Sequence, residues 1–154
     1  MQRFYQALKS MNKLIVCSLL LLLVACGKEP TTGAVEIKFD RDACERCRML
    51  ISDPYHAAQV RGGERHQVYK FDDIGGAVIW LAEQPWQDDP QTEMWVTEHT
   101  SGEWIDAKQA WYVRETHTPM NYGYSAELEK TANAVDYATM VVGVMAIERK
   151  LQSK

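Results

Sequence analysis

The chain has 154 residues, enough for one domain or two small ones. With 46% hydrophobic and 25% charged residues it has the make-up of a folded globular protein, which excludes a largely disordered chain. Residues 1–25 carry Arg3, Lys9 and Lys13 and no acid, so without them the formal charge falls from −4 to −7. An acidic domain of that kind argues against nucleic acid, whose binding rests on Lys and Arg neutralising phosphates.

Leu14 to Val24 is an apolar run, well short of the roughly 20 residues that a membrane-spanning helix needs. A cationic start, a short apolar stretch and small residues at its end read as a secretory signal over 1–25. Met11 is a second candidate start, since Met11-Asn12-Lys13 and the apolar run already make a complete signal. The run closes on Leu23-Val24-Ala25-Cys26-Gly27, which resembles the bacterial lipoprotein box L-x-[AG]-C, with Cys26 lipidated and first in the mature chain. Gly27 rather than Asp resembles the outer-membrane sorting pattern, with the domain facing the periplasm. Residues 26–33 then form a lipidated tether, Pro-, Gly- and Thr-rich, and 34–154 the functional domain.

Ala34 to Phe39 alternates apolar and polar, as a half-buried strand or extended arm does. His56–Arg61 and His66–Phe71 read as two strands around Gly62-Gly63. Asp72 or Asp73 can cap a helix with Ala77, Val78, Trp80 and Leu81 on its apolar face, ended by Pro85. Strands are expected at 92–98 and 110–115, with Trp104-Ile105-Asp106-Ala107 leading into the second. A turn-rich loop follows over 116–123 and a further strand at 124–128. A helix over 130–140 and a last strand over 141–148 complete the reading. Phe71–Trp80 lines up with Leu128–Tyr137 at an offset of 57 residues. That faint repeat predicts an α+β fold of two ββαβ-type halves packed as one small unit.

The chemistry concentrates in Asp42-Ala43-Cys44-Glu45-Arg46-Cys47-Arg48-Met49. Cys44 and Cys47 are the only thiols of the mature domain. A c-type haem site needs His directly after the second cysteine, and Arg48 stands there. Structural zinc would need His56, His66, His99 or His117 to complete four ligands. A thioredoxin-like motif opens a helix, and Pro54 leaves little room for one. A disulfide closing so short a loop would stabilise little. Soft sulfur donors select Cu(I), and the methionine two residues past the second cysteine suits copper and neither zinc nor redox chemistry. In an extended segment Cys47 and Met49 would share a face. They are the leading copper ligands; Met120, in the loop Thr118–Gly123, comes next, and Cys44 follows. His117 and His56 are nitrogen candidates, each weighed against an ordinary solvated histidine.

The order of lipoprotein box, Cys44-x-x-Cys47-x-Met49, short hairpin, Phe71-Asp72-Asp73, Trp104-Ile105-Asp106-Ala107 and a Gly loop carrying Met120 resembles the NosL family. The resemblance spans the mature chain. It implies a Cu(I) chaperone, not an enzyme, with a duplicated ββαβ fold similar to part of an organomercurial lyase. It further implies a monomer that supplies copper to nitrous oxide reductase and its membrane maturation machinery in denitrification. The chain departs from the family at Arg48, usually Gly, and at Asn121, where Gly is common. The alternative class is a thiol-disulfide oxidoreductase acting on the cysteines of a copper protein.

A lipidated Cys26 supplies the two acyl signals that stable anchoring takes. Cys26→Ser on a cleavable secretory signal is therefore expected to move the protein from the membrane to the soluble periplasmic fraction. Wild-type protein found wholly in that soluble fraction would overturn lipidation at Cys26.

Overall fold

The computed structural model describes residues 30–153. The expected signal peptide, Cys26 and the first part of the tether lie outside the described residues. From Thr31 onward the chain forms one compact unit. Its first segment is the expected extended arm. Val35 and Ile37 are buried, while Glu36 and Lys38 face solvent. The arm joins no strand ladder. The buried Gln59 amide replaces one, accepting from Val35 N at 2.9 Å and donating to Val35 O at 2.7 Å. A buried amide satisfied by backbone in this way avoids the cost of unmet polar groups.

The expected hairpin is present as β1 (Ala58–Gly62) and β2 (Gln67–Phe71), paired antiparallel. With β3 (Glu93–Thr97) and β4 (Trp104–Asp106) they make a four-stranded antiparallel sheet in the order β2-β1-β3-β4. The helix α1 (Ile74–Ala82) follows β2 at once and packs on β1 and β2. Asp73 is its cap, in extended backbone, and its carboxylate accepts from Gly76 N at 2.8 Å. β1, β2, α1 and β3 are thus the expected first ββαβ half.

The second half has β5 (Trp111–Arg114) paired antiparallel with β6 (Tyr124–Glu127). Ala126 also makes an isolated parallel bridge to Glu98, which joins this ladder to the end of β3. The chain is α+β, as expected, but this half ends differently. Residues 130–136 are not helical, and 141–148 is not a strand. One helix, α2 (Tyr137–Gln152), covers the end of the chain and packs on α1 and β5. Val141, Val142 and Val144 favour strands by their branched side chains. Tertiary packing overrides that preference, because Met140 and Val144, one helical turn apart, both reach full burial. The cap is Asp136, accepting from Thr139 N at 2.8 Å. The two caps stand 63 residues apart, not 57: Asp72 alone separates β2 from Asp73, while residues 128–135 separate β6 from Asp136.

Two glycines let layers touch. A Cβ on Gly75 would overlap the Tyr122 ring, and one on Gly143 would overlap the Tyr124 hydroxyl. The first seats the loop before β6 on α1; the second seats β6 on α2.

His56 ties the segment before β1 to the second half. Its Nδ1 meets Asp53 Oδ2 at 2.9 Å and its Nε2 meets Glu115 Oε2 at 2.9 Å. Ser125 Oγ lies 3.2 Å from the same Nε2 and also donates to Glu115. Burial opposes charge on this ring, but the Glu115 and Asp53 carboxylates outweigh it and hold its pKa above 6.5. A raised histidine pKa adds stability below the unfolded value, and that contribution fades as pH rises through the folded one. His56→Gln should therefore lower the thermal midpoint more at pH 5.5 than at pH 8.5. An equal loss at both would show that the charge contributes nothing.

Candidate metal centre

The segment that holds the thiols is a tight turn, not an extended strand. Ala43 and Leu50 pair as an isolated antiparallel bridge, and Cys44 N donates to Met49 O at 2.8 Å. Arg48 N returns to Cys44 O at 2.9 Å, with Arg48 in the left-handed region at φ 63°. The turn aims Cys47 N at Cys44 Sγ, 3.4 Å away. Both thiols are free. The extended segment in which Cys47 and Met49 were expected to share a face is therefore absent. Cys44 is 1% exposed and Cys47 half-buried against the core, while Met49 stands 52% exposed. Leu50, next in sequence, is also exposed.

The turn is fastened to the end of β2, where Glu45 N donates to Lys70 O at 2.8 Å and Lys70 Nζ reaches Asp42 Oδ2 at 2.6 Å. The loop carrying Met120 is fastened three residues further on. Asp73 Oδ2 accepts from Met120 N at 3.0 Å and from Thr118 Oγ1 at 3.1 Å. Thr118 Oγ1 in turn accepts from Gly123 N at 3.1 Å, closing the loop. Two segments over 70 residues apart in sequence therefore hang from points separated by about 10 Å of chain. Arg46 spans them directly, donating from Nη1 to Tyr122 Oη at 2.8 Å. Met120 packs half-buried against the same core as Cys47.

The nitrogen candidates fare differently. Both ring nitrogens of His56 are taken by Asp53, Glu115 and Ser125, so it offers none to a metal. His117 is exposed and has no hydrogen-bond partner among the described residues. His66 and His99 lean on Glu93 and Glu98. Among the described residues no group of three or more His, Cys, Asp and Glu is placed to hold a metal.

The electrostatics run against a redox motif. Burial, then the hydrogen bond with Cys44, push the Cys47 thiol up to about 11, and Asp72 adds to the shift. Among the described residues no helix begins at the motif, so no helix N-terminus offsets this. Asp72 and Asp73 are themselves raised, first by burial.

A sequence profile of the NosL family matches residues 35–149. The chain belongs to the NosL family. Among solved structures it is similar to the crystal structure of the copper chaperone NosL from Shewanella denitrificans. The two share 16% identity and superpose with a TM-score of 0.50 over 74% of this chain and 88% of that one. At that identity the likeness concerns the α+β fold. No curated protein matches the chain. Two non-glycine residues of these loops take left-handed backbone, Arg48 at φ 63° and Asn121 at φ 59°. Asn tolerates that region; for Arg it stores strain on the order of 1 kcal/mol or more.

Three residues of the site escaped sequence reasoning. Arg46 sits in plain view inside the motif, but its partners Tyr122 and Glu148 lie 76 and 102 residues away and carry no local signal.

A thiol with a pKa near 11 is about one part in ten thousand thiolate at pH 7. Alkylation of Cys47 by iodoacetamide, followed by mass spectrometry, should be slow at pH 7 and quicken about tenfold per pH unit through pH 10. A rate that plateaus below pH 8 would instead mark a redox-type thiolate.

Proposed function

We propose that this protein is a metallochaperone that takes up one copper ion as Cu(I) and hands it to another protein, and that it is not an enzyme. The observation that carries the reading is the convergence of two free thiols and the Met120 loop on the Lys70–Asp73 stretch. The NosL family and the copper chaperone of similar fold support it. The proposed ligands are Cys47, Met120, Cys44 and Met49. Cys47 and Met120 are half-buried and held by neighbouring anchors; Met49 is exposed and suits first capture or last release of the ion. His117 is a spare nitrogen at the loop's outer end. Burial keeps the Cys47 thiol protonated, and copper must displace that proton, so affinity rises with pH. The few ligands and exposed rim suit transfer, since an incoming ligand has to reach the ion. We place the protein on a lipid anchor at Cys26, in the outer membrane and facing the periplasm. The acceptor we propose is nitrous oxide reductase with its membrane maturation machinery, for assembly of the copper-sulfide centre.

The test is a Cu(I) titration of the reduced full-length chain in detergent against a chromophoric chelator. One ion should bind, tighter by about tenfold per pH unit for each thiol proton displaced. Cys47→Ser should abolish tight binding, and Met120→Leu should weaken it about tenfold, or about 1.4 kcal/mol. Absence of Cu(I) binding, or zinc bound as tightly, would overturn the proposal.

A further inference from the structure

Arg46 lies between the two thiols of the motif. Its Nη1 donates to Tyr122 Oη at 2.8 Å and its Nη2 to Glu148 Oε1 at 2.7 Å. Tyr122 Oη donates to Glu148 Oε2 at 2.6 Å, which closes a ring of three side chains. Each comes from a different element: the cysteine turn, the loop carrying Met120, and α2. The Arg46 and Glu148 side chains are only 23% and 13% exposed, so these charge-assisted bonds work in poorly hydrated surroundings where they are strong.

The ring is not needed to close either loop. The cysteine turn is already closed by the Ala43–Leu50 bridge and fastened at Lys70 O. The Met120 loop is already closed by Thr118 and fastened at Asp73. What the ring adds is a cross-link between the two. Its middle member cannot drift, because the Tyr122 ring fills the space that a side chain on Gly75 would occupy. Tyr122 is two residues from Met120, and Arg46 is next to Cys47.

We propose that Arg46, Tyr122 and Glu148 are positioning residues of the copper site, holding the Cys47 turn and the Met120 loop at the spacing that lets both sulfurs meet one ion. This rests on the copper reading above. A site whose ligands must be brought together at binding loses affinity to the ordering of its loops; a latch already closed removes that cost.

Tyr122→Phe keeps the ring on Gly75 and removes the hydroxyl, and Glu148→Gln keeps the shape and removes the charge. In the reduced full-length chain in detergent, each should weaken Cu(I) binding about tenfold and speed copper loss to a chelator, with the circular dichroism spectrum unchanged. Because the latch acts through Met120, Tyr122→Phe should add little once Met120→Leu is present. A merely structural role would weaken the Met120→Leu protein as much as the wild type, and that result overturns the inference. So does a Tyr122→Phe protein that binds copper as tightly as wild type. Should Glu148→Gln fail to fold, Arg46→Lys, which keeps the cation and loses the fork, carries the same comparison. Wild-type protein that binds no Cu(I) overturns the copper reading and this inference with it; wild-type binding with unaltered variants overturns this inference alone.

Discussion

A carboxylate taken out of water has to find donors or lose its charge, and Asp73 is 1% exposed. Its donors are Gly76 N, Met120 N and Thr118 Oγ1. The first belongs to α1 and the other two to a loop more than 40 residues later. Helix capping, a local device, has been extended into a tertiary anchor. Burial raises the Asp73 pKa despite these bonds. Without it the Met120 loop would have the Arg46–Tyr122 contact as its other polar tie to the cysteine end of the sheet.

The cysteine turn obeys the same economy of anchors. Cys44 is buried to the point of being core, and its Sγ accepts from Cys47 N. Cys47 is therefore presented at the edge of a packed surface, with a desolvated and protonated thiol. A thiol in this state is a poor nucleophile and a poor redox partner, yet a soft metal can still displace its proton. The cysteine turn and the Met120 loop are anchored at Lys70 and Asp73, while Met49 and Leu50 stay exposed. In the copper site proposed above, that combination would let an ion be held and then released.

Features written in short-range chemistry were legible in the sequence. The Gly62-Gly63 hairpin, the Asp73 cap and the alternation of the arm each depend on neighbours a few residues away, and each is found. The cysteine motif was misread as geometry. Its bridge between Ala43 and Leu50 and the left-handed Arg48 turn it back on itself, where a side-chain count would run it straight. The end of the chain was misread because three branched valines speak for a strand, while the deciding fact is what they pack against. His56 remained a nitrogen candidate beside the solvated-histidine reading because nothing local shows that Glu115 and Ser125 fold onto it. Arg46, Tyr122 and Glu148 meet only in three dimensions.

The substitution of a helix for the last strand has a structural consequence. A strand over 141–148 would alternate its side chains between two faces and could present Glu148 only at a sheet edge. As a helix, the same stretch buries Met140 and Val144 on one side and brings Glu148, one further turn along, to Arg46. The seating of α2 depends on Gly143, where the Tyr124 hydroxyl leaves no room for a side chain. The two halves thus keep the same β-β-cap-α grammar and divide the labour. Asp136 caps α2 in full solvent, with a pKa lowered by its bonds to Thr139, and does nothing else. Asp73 caps α1 in the core, with a pKa raised by burial, and also holds a loop of the other half. An exposed cap tolerates replacement at modest cost, while a buried one with three partners does not. The asymmetry between two chemically identical caps marks the end of the fold at which the cysteine turn and the Met120 loop are anchored.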